Sequence, residues 1–226
     1  MPKKRKLIIV GNTAFAEIAH EYFTHDSDYE VAAFSVESNF IKNDTLMGKP
    51  VLPFESIEQV LQPADHSVFV AVVYSQMNRL RTRLWRQAKL KGYSSASYVS
   101  SKAFVWRNVQ LGEHCFVFEN NVVQPFVKIG DNVILWSGNH IGHHSSIGNN
   151  CFISSHVVIS GYVEVRENCF FGVNCSIANN LVVERDNWIS PGVVILKSTP
   201  PNTLYPAPKT QPAEASALKY FRVDES

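Results

Sequence analysis

Apolar residues recur at every sixth position along the second half of the chain. The run starts at Val105 and covers sixteen consecutive positions of the repeat, each of them aliphatic or Phe. These positions are Val105, Leu111, Val117, Val123, Ile129, Leu135, Ile141, Ile147, Ile153, Ile159, Val165, Phe171, Ile177, Val183, Ile189 and Ile195. A short fixed period of this kind is typical of a solenoid, in which each repeat packs on its neighbours. The pattern therefore predicts a stacked repeat domain over residues 104–199.

The first half has a different pattern, in which short apolar runs alternate with helical ones. Residues 7–10, 31–34 and 67–73 are predicted strands, and residues 79–91 are a predicted helix that ends at Gly92. A further helix follows the first strand, with its apolar residues on one face. Strands that alternate with helices indicate a small parallel sheet, so residues 1–103 are predicted to form a Rossmann-like α/β domain. In such a domain, ligands bind at the carboxyl ends of the strands.

The four cysteines keep the register of the repeat. Cys115, Cys151, Cys169 and Cys175 each lie four positions after a repeat aliphatic residue, where other repeats have small or apolar side chains. None of them forms the Cys-x-x-Cys pair of a zinc knuckle. We therefore expect buried packing residues rather than metal ligands or disulfides, and no metal cofactor.

The composition argues against several classes of partner and location. The chain has 226 residues, 45% of them hydrophobic, and a net charge of +1, so it has no overall field that would attract nucleic acid or a membrane surface. No apolar run suits a membrane span or a signal peptide, which makes a soluble cytoplasmic protein the expectation. The basic residues at 3–6 and along the helix at 79–91 are interpreted as solvated charges rather than as an import signal or an RNA-binding face.

The repeat, of the form aliphatic-Gly-x-x-small-x, resembles that of the hexapeptide-repeat acyltransferases. The local motifs are Ile-Gly-His-His-Ser-Ser-Ile-Gly at 141–148, Ser-Gly at 160–161, the run at 168–174 and Leu-Ile-Ile-Val-Gly at 7–11. Together with the α/β half, they resemble the bacterial nucleotide-amino-sugar N-acetyltransferases and sialic-acid O-acetyltransferases. The resemblance implies a left-handed parallel β-helix with a triangular cross-section. It also implies a homotrimer with active sites between neighbouring prisms, and residues 200–226 are predicted to form an extended link and a capping helix.

The resemblance also implies roles for individual residues. His143 corresponds to the general base, and His144 takes the place of an acidic residue that orients this base in relatives. The Gly161 N–H corresponds to the oxyanion donor. The residues expected to bind acetyl-CoA are Phe152, Gly161, Val173, Pro191, Gly192 and Lys197.

A second binding region is predicted in the α/β half, for a nucleotide-linked sugar. The loop after the first strand lacks the later glycines of a dinucleotide fingerprint, which disfavours NAD and leaves a mononucleotide sugar. Its N–H groups and the Thr13 hydroxyl could hold a diphosphate at a helix N-terminus. The candidate substrate-binding residues are Gly11, Asn12, Thr13, Ala14, Phe15, Glu37, Tyr74 and Ser75.

The favoured function is acetyl-CoA-dependent N-acetylation of a nucleotide-linked amino sugar in surface-glycan synthesis. The sequence leaves three alternatives open: O-acetylation of a sialic acid or related sugar, zinc-dependent catalysis, and a non-catalytic scaffold that binds sugar nucleotides. The zinc alternative lacks the His spacing of β-helix carbonic anhydrases. The trimer is also expected because four aromatic residues occupy outward repeat positions, which suggests a protein interface. These residues are Phe116, Phe118, Trp136 and Phe152.

Overall fold

A six-stranded sheet organises the N-terminal half. The computed structural model describes residues 5–223, so Lys3 and Lys4 of the basic lead-in lie outside the described residues. The strands are β1 (Arg5–Val10), β2 (Tyr29–Val36), β3 (Thr45–Leu46), β4 (Lys49–Pro53), β5 (His66–Val70) and β6 (Ser94–Ser95). Their order is β3-β4-β2-β1-β5-β6, with only the β3–β4 pair antiparallel. The predicted Rossmann-like sheet is confirmed.

Three helices accompany this sheet: α1 (Ala14–His25), α2 (Ile57–Val60) and α3 (Arg79–Leu90), with short 3-10 turns at Ser38–Phe40 and Phe54–Ser56. Strands β3 and β4 were not predicted, because prolines at 50 and 53 interrupt the apolar pattern that marks a strand. The third predicted strand, at 67–73, ends at Val70. None of the described helices is long and apolar enough to cross a membrane.

The second half is a prism of two-residue strands that stack in three faces. The first face contains β7 (Tyr98–Val99), β10 (Phe116–Val117), β13 (Ile134–Leu135), β16 (Phe152–Ile153), β19 (Phe170–Phe171), β22 (Trp188–Ile189) and β24 (Leu204–Tyr205). The second face contains β8 (Phe104–Val105), β11 (Val122–Val123), β14 (His140–Ile141), β17 (Val158–Ile159), β20 (Ser176–Ile177) and β23 (Val194–Ile195). The third face contains β9 (Gln110–Leu111), β12 (Lys128–Ile129), β15 (Ser146–Ile147), β18 (Glu164–Val165) and β21 (Val182–Val183).

Strand pairing gives the prism a coil of 18 residues. All pairs are parallel, and Phe116 pairs with Ile134 as His140 pairs with Val158. Positions 18 residues apart therefore lie directly above one another. This arrangement is the expected left-handed parallel β-helix, and its first strand, β7, precedes residue 104 by one repeat.

The repeat aliphatic side chains fill the interior of the prism. From Val117 to Ile195 all of them are at most 5% exposed. The four cysteines are free thiols buried in the same core, as the phase of the repeat predicted. Burial raises the pKa of Cys115 and of Cys175 to about 12, which keeps these thiols protonated and unreactive.

The corners of the prism use left-handed backbone. Every sixth residue from His114 to Gly192 has a positive φ, between 57° and 77°. Asparagine adopts this conformation more readily than most residues, and it fills six of these corners. These residues are Asn120, Asn132, Asn150, Asn168, Asn174 and Asn180. The asparagine column was present in the sequence and would have identified the corners.

The first face is covered by the chain's own N-terminal domain. The Phe15 ring of α1 lies 5.6 Å from the Phe116 ring and 6.2 Å from the Phe118 ring. Phe116, Phe118 and Phe152 are at most 2% exposed, and Trp136 is partly buried in the same cluster. These outward aromatic residues therefore give no support to a trimer, because an intrachain contact buries them instead.

The tail differs from its prediction. Helix α4 (Ala217–Phe221) forms, and the Ser216 side chain accepts a hydrogen bond from the Lys219 N–H at its start. None of its residues is buried, so it does not cover the end of the prism within this chain. Strand β24 instead extends the first face, and Tyr205 packs against the prism core.

His114 joins the two halves as a neutral, buried base. Its Nε2 accepts the Val70 N–H at 2.7 Å and its Nδ1–H donates to Asn132 Oδ1 at 2.9 Å. The ring stacks on Phe69 and on Trp85. Desolvation lowers the pKa of His114 to about 3, so the native protein holds this ring neutral.

Stability should fall on mild acidification because of His114. At pH values below about 6.5, the ordinary pKa of histidine, His114 binds a proton in the unfolded chain but stays neutral in the native protein. Between pH 6.5 and 5 the free energy of unfolding should therefore drop by on the order of 1 kcal/mol per pH unit. In urea titrations, His114→Asn should flatten this dependence, whereas the exposed control His25→Asn should keep it. Equal slopes in both variants would contradict this account of His114.

Candidate functional site

His143 lies at the corner where the chain passes from the second face to the third. Its N–H donates to the Gln124 Oε1 at 2.9 Å, which fixes the turn after β14. Gly161 occupies the same corner one coil later. A Cβ on Gly161 would lie 2.8 Å from His143 Cε1 and 2.9 Å from Nε2. The imidazole therefore rests on the glycine, in space that any other residue would fill.

His144 is held in an aromatic stack beside this base. Its ring lies between the Phe126 and Tyr162 rings, at centroid distances of 4.6 and 4.8 Å. Its Nδ1 is 3.1 Å from His143 Nδ1, so one proton lies between the two rings. In the tautomer in which His143 Nδ1–H donates, the lone pair of His143 Nε2 is free to accept a proton. Both histidines are exposed to solvent.

Gly161 offers its own N–H beside the imidazole. Gly142 packs against it from the preceding coil, where a Cβ would come within 2.5 Å of the Gly161 nitrogen. Within residues 5–223, no acceptor is found for the Gly161 N–H. Because neither Gly142 nor Gly161 has a side chain, this backbone donor stays free beside the His143 imidazole.

The predicted acetyl-CoA residues are divided between two corners. Lys197 shares the corner column of His143 and Gly161 three coils further along, about 14 Å along the prism. Val173, Pro191 and Gly192 are exposed at the corner between the first and second faces. Within one chain, the residues predicted to bind acetyl-CoA at these two corners therefore do not come into contact with each other.

Phe152 departs from its predicted role. Its side chain is 2% exposed, and its ring packs on Tyr74 at 5.1 Å and on Phe170 at 5.8 Å. The N-terminal domain therefore occupies the surface at which Phe152 was expected to bind acetyl-CoA.

A cavity of about 440 Å³ lies at the carboxyl ends of β1, β2 and β5. Five of the predicted substrate residues line it: Gly11, Asn12, Thr13, Glu37 and Ser75. The Thr13 side chain makes no cap bond to α1, so its hydroxyl remains available. Gly11 has a φ of +138°, and a Cβ there would lie 2.7 Å from the Ala71 carbonyl oxygen. The strand-end position that the topology predicted is therefore a real concavity.

Three predicted substrate residues lie outside this cavity. Phe15 is 3% exposed and packs between the sheet and the prism. Tyr74 lies on the aromatic column of the first face, 4.7 Å from the Phe170 ring. Ala14 is exposed at the start of α1 but does not line the cavity.

Arg83 is a cavity residue that the sequence analysis did not select. Its guanidinium donates to both carboxylate oxygens of Glu37 at 2.9 Å, and this pairing raises the pKa of Arg83. The basic pattern of α3 was interpreted as a solvated face. The signal that would have identified Arg83 is its position one turn after Arg79, on the side of α3 that faces β2.

Two further observations concern a charged residue of α3 and possible metal ligands. Arg81 of the same helix is fully buried, which contradicts its interpretation as a solvated charge. No group of three potential metal ligands occurs in the described part of the chain.

The comparisons with known proteins agree with this geometry. A family model described as bacterial transferase hexapeptide (six repeats) matches residues 108–143. This stretch of the β-helix is therefore similar to the repeats of that family. No protein of curated function matches the sequence significantly.

Solved structures extend the likeness to both halves. The acetyltransferase domain of PglB from Neisseria gonorrhoeae is 21% identical with a TM-score of 0.79, covering 88% of this chain and 95% of that one. PerB from Caulobacter crescentus, in complex with CoA and GDP-perosamine, is 25% identical with a TM-score of 0.77, covering 88% and 92%. WeeI from Acinetobacter baumannii is 19% identical with a TM-score of 0.57, covering 88% and 94%. The chain therefore shares its fold, over both halves, with these solved structures.

The contact between Gly161 and His143 can be tested without a substrate. Gly161→Ala should displace the His143 ring, since the new Cβ would lie within 3 Å of Cε1 and Nε2. The shift should be visible in a crystal structure and in the His143 imidazole resonances. The control Asn179→Ala changes the next residue in the same column and should leave His143 in place. An unmoved ring in Gly161→Ala would refute the packing described.

Proposed function

We propose that the protein is an acetyl-CoA-dependent N-acetyltransferase that acts on a nucleotide-linked amino sugar. The observation that carries this proposal is the His143 imidazole, packed over Gly161 and paired with His144 at an exposed corner. Similarity in fold to PerB, whose structure contains CoA and GDP-perosamine, supports the choice of substrates. Surface-glycan synthesis in the cytoplasm is the process in which we place the reaction.

The proposed reaction moves one acetyl group from sulfur to nitrogen. The sugar amine attacks the thioester carbonyl, a C–N bond forms and the C–S bond of acetyl-CoA breaks. His143 Nε2 accepts the proton that the attacking nitrogen loses, and this proton then passes to the departing CoA thiolate. The Gly161 N–H donates to the carbonyl oxygen as its negative charge develops.

His144 takes the place of the acid that orients the base in related enzymes. Its stack between Phe126 and Tyr162 fixes the plane of its ring. Its Nδ1 then accepts the His143 Nδ1–H, which leaves His143 Nε2 unprotonated for catalysis. This pairing is neutral, in contrast to a carboxylate–imidazole pair.

The nucleotide part of the substrate is assigned to the 440 Å³ cavity. The N-terminus of α1 and the Thr13 hydroxyl suit a diphosphate, because unpaired N–H groups and the helix dipole attract anions. Arg83 supplies a fixed positive charge on the opposite wall, and Glu37 supplies a carboxylate that can accept hydrogen bonds from a ribose or base.

A homotrimer is proposed because two exposed corners must meet to bind acetyl-CoA. The first face is covered by the chain's own domain, and the outward side of the third face is mostly polar or Gly. The second face instead exposes large apolar side chains, which is typical of an interface. They are Phe104, Trp106, Val158, Val194 and Leu196, between 40% and 70% exposed. Packing this face on a neighbour would bring the corner of Val173 and Gly192 towards the corner of His143.

His143 should be essential for acetyl transfer. His143→Asn removes the base and should lower kcat by roughly 10²–10⁴-fold, measured as thiol release from acetyl-CoA with UDP-, dTDP- and GDP-linked amino sugars. The matched control, His25→Asn, changes an exposed histidine at the end of α1, away from both corners and from the cavity, and should keep the wild-type rate. Unchanged turnover in His143→Asn would remove His143 from the mechanism. If wild type releases thiol with none of these sugars, the proposed function is wrong.

The second face should be the self-association surface. Light scattering should give the mass of a trimer for the wild type. Val158→Asp places a charge on the exposed centre of the second face and should shift the protein towards monomer. Ser146→Asp makes a comparable change on the third face and should leave the trimer intact. A monomeric wild type, or a trimer insensitive to Val158→Asp, would exclude this interface.

A further inference from the structure

The loop between β5 and α3 is held in a strained conformation. Gln76, Met77 and Asn78 have consecutive positive φ values of 52°, 51° and 67°. Left-handed backbone costs a non-glycine residue on the order of 1 kcal/mol, so three in succession persist only where the surroundings enforce them. Strain of this kind is concentrated at functional sites.

This loop forms one wall of the 440 Å³ cavity. Val72, Val73, Ser75 and Gln76 all line it, opposite the loop that contains Thr13. The position of the wall therefore sets the width of the proposed nucleotide pocket. No bond within the β-sheet fixes these residues, because β5 ends at Val70.

The prism fixes the far end of the loop through Asn78. This side chain is fully buried, and its Nδ2 donates to the Cys169 carbonyl oxygen of the prism at 3.3 Å. The Asn78 N–H donates to the Tyr74 carbonyl oxygen, and the Tyr74 ring packs on Phe152 and Phe170 of the first face. The loop is thus fastened to the prism at both of its ends.

Arg81 holds the beginning of the same loop, at Val72 and Val73. It is 0% exposed, and its Nη1 donates to the carbonyl oxygens of Val72 and Val73 at 3.2 and 2.9 Å and to Asn78 Oδ1 at 3.2 Å. The same guanidinium donates to Asn132 Oδ1 at 2.9 Å and to the Cys151 carbonyl oxygen at 3.3 Å. The arginine guanidinium is planar and has five N–H donors, so it is well suited to hold several oxygen atoms in fixed positions.

The prism partner of Arg81 is itself rigidly held. Asn132 Nδ2 donates to Asn150 Oδ1 at 2.9 Å, and Asn150 Nδ2 donates to Asn168 Oδ1 at 3.2 Å. These three corner residues form a ladder across three coils. Within residues 5–223, Arg81 has no carboxylate in contact, so neutral oxygens alone solvate its charge. Burying an arginine in this way is costly, which argues for a role beyond filling space.

We propose that Arg81 and Asn78 are positioning residues that clamp the strained loop at 72–78 onto the prism and so hold open the sugar-nucleotide pocket. This inference rests on the proposed function. The clamp ties the nucleotide pocket directly to the coils that contain the acetyl-transfer site. Loss of the clamp should weaken capture of the sugar nucleotide and leave acetyl-CoA and the chemical step unaffected.

The test is Asn78→Gly, which keeps the left-handed backbone and removes only the side-chain tether. With the most active nucleotide sugar, its KM should rise on the order of tenfold, while kcat and the KM for acetyl-CoA should stay within about twofold. Arg81→Lys keeps the charge but loses the fork, and should change the same KM in the same direction. The matched control is Asn120→Gly, an identical change at a left-handed corner of the prism that belongs neither to the loop nor to the asparagine ladder. It should leave all three constants unchanged, even where its Tm falls.

Hydrogen exchange separates failure of the clamp from failure of the proposed function. Peptides that cover residues 72–78 should exchange faster in Asn78→Gly than in wild type or Asn120→Gly, whether or not the protein is an acetyltransferase. Unaltered exchange, or an unaltered nucleotide-sugar KM, would overturn the proposal. So would an equal rise in that KM in Asn120→Gly, because the effect would then be a general loss of stability. If wild type acetylates no sugar while the exchange result holds, the proposed function fails and the clamp stands only as a structural one.

Discussion

The stacking of 18-residue coils sets the position of every functional side chain on the prism. Because each strand has only two residues, the coil is stable only through the coils above and below it and the aliphatic column inside. Residues 18 apart are therefore held in contact, which places His143 on Gly161 and Phe126, His144 and Tyr162 in one stack. The same register builds the asparagine ladder that receives Arg81.

The division of the three faces follows from what each presents outward. Aromatic residues on the first face bury the α/β domain, which fixes the nucleotide cavity relative to the prism. Apolar residues on the second face remain exposed between the two corners that contain the proposed catalytic and acetyl-CoA residues. A single chain thus contains both halves of the proposed site, and association of copies through the second face would complete it.

Predictions that rest on the periodicity of the sequence were confirmed, whereas predictions for side chains whose burial depends on long-range contacts were wrong. The six-residue repeat predicted the prism and the buried cysteines. It did not reveal that Phe15 packs against the prism or that Phe152 packs against the α/β domain. In a sequence, an outward aromatic residue looks the same whether another chain or the same chain buries it. Arg81 was assigned to solvent because a basic helix shows no sign of the neutral oxygens that surround it here. The roles of His143, His144 and Gly161 came from family resemblance rather than from any physical pattern.

Mass spectrometry of the products formed from acetyl-CoA and a set of nucleotide-linked amino sugars distinguishes N-acetylation from the alternatives. We expect one acetyl group on the sugar nitrogen, with one CoA thiol released for each acetyl transferred. The matching sugars with a hydroxyl in place of the amine should remain unmodified. Acetylation of the hydroxyl sugars alone, or no acetylated product with any of the amino sugars, would contradict the proposed function.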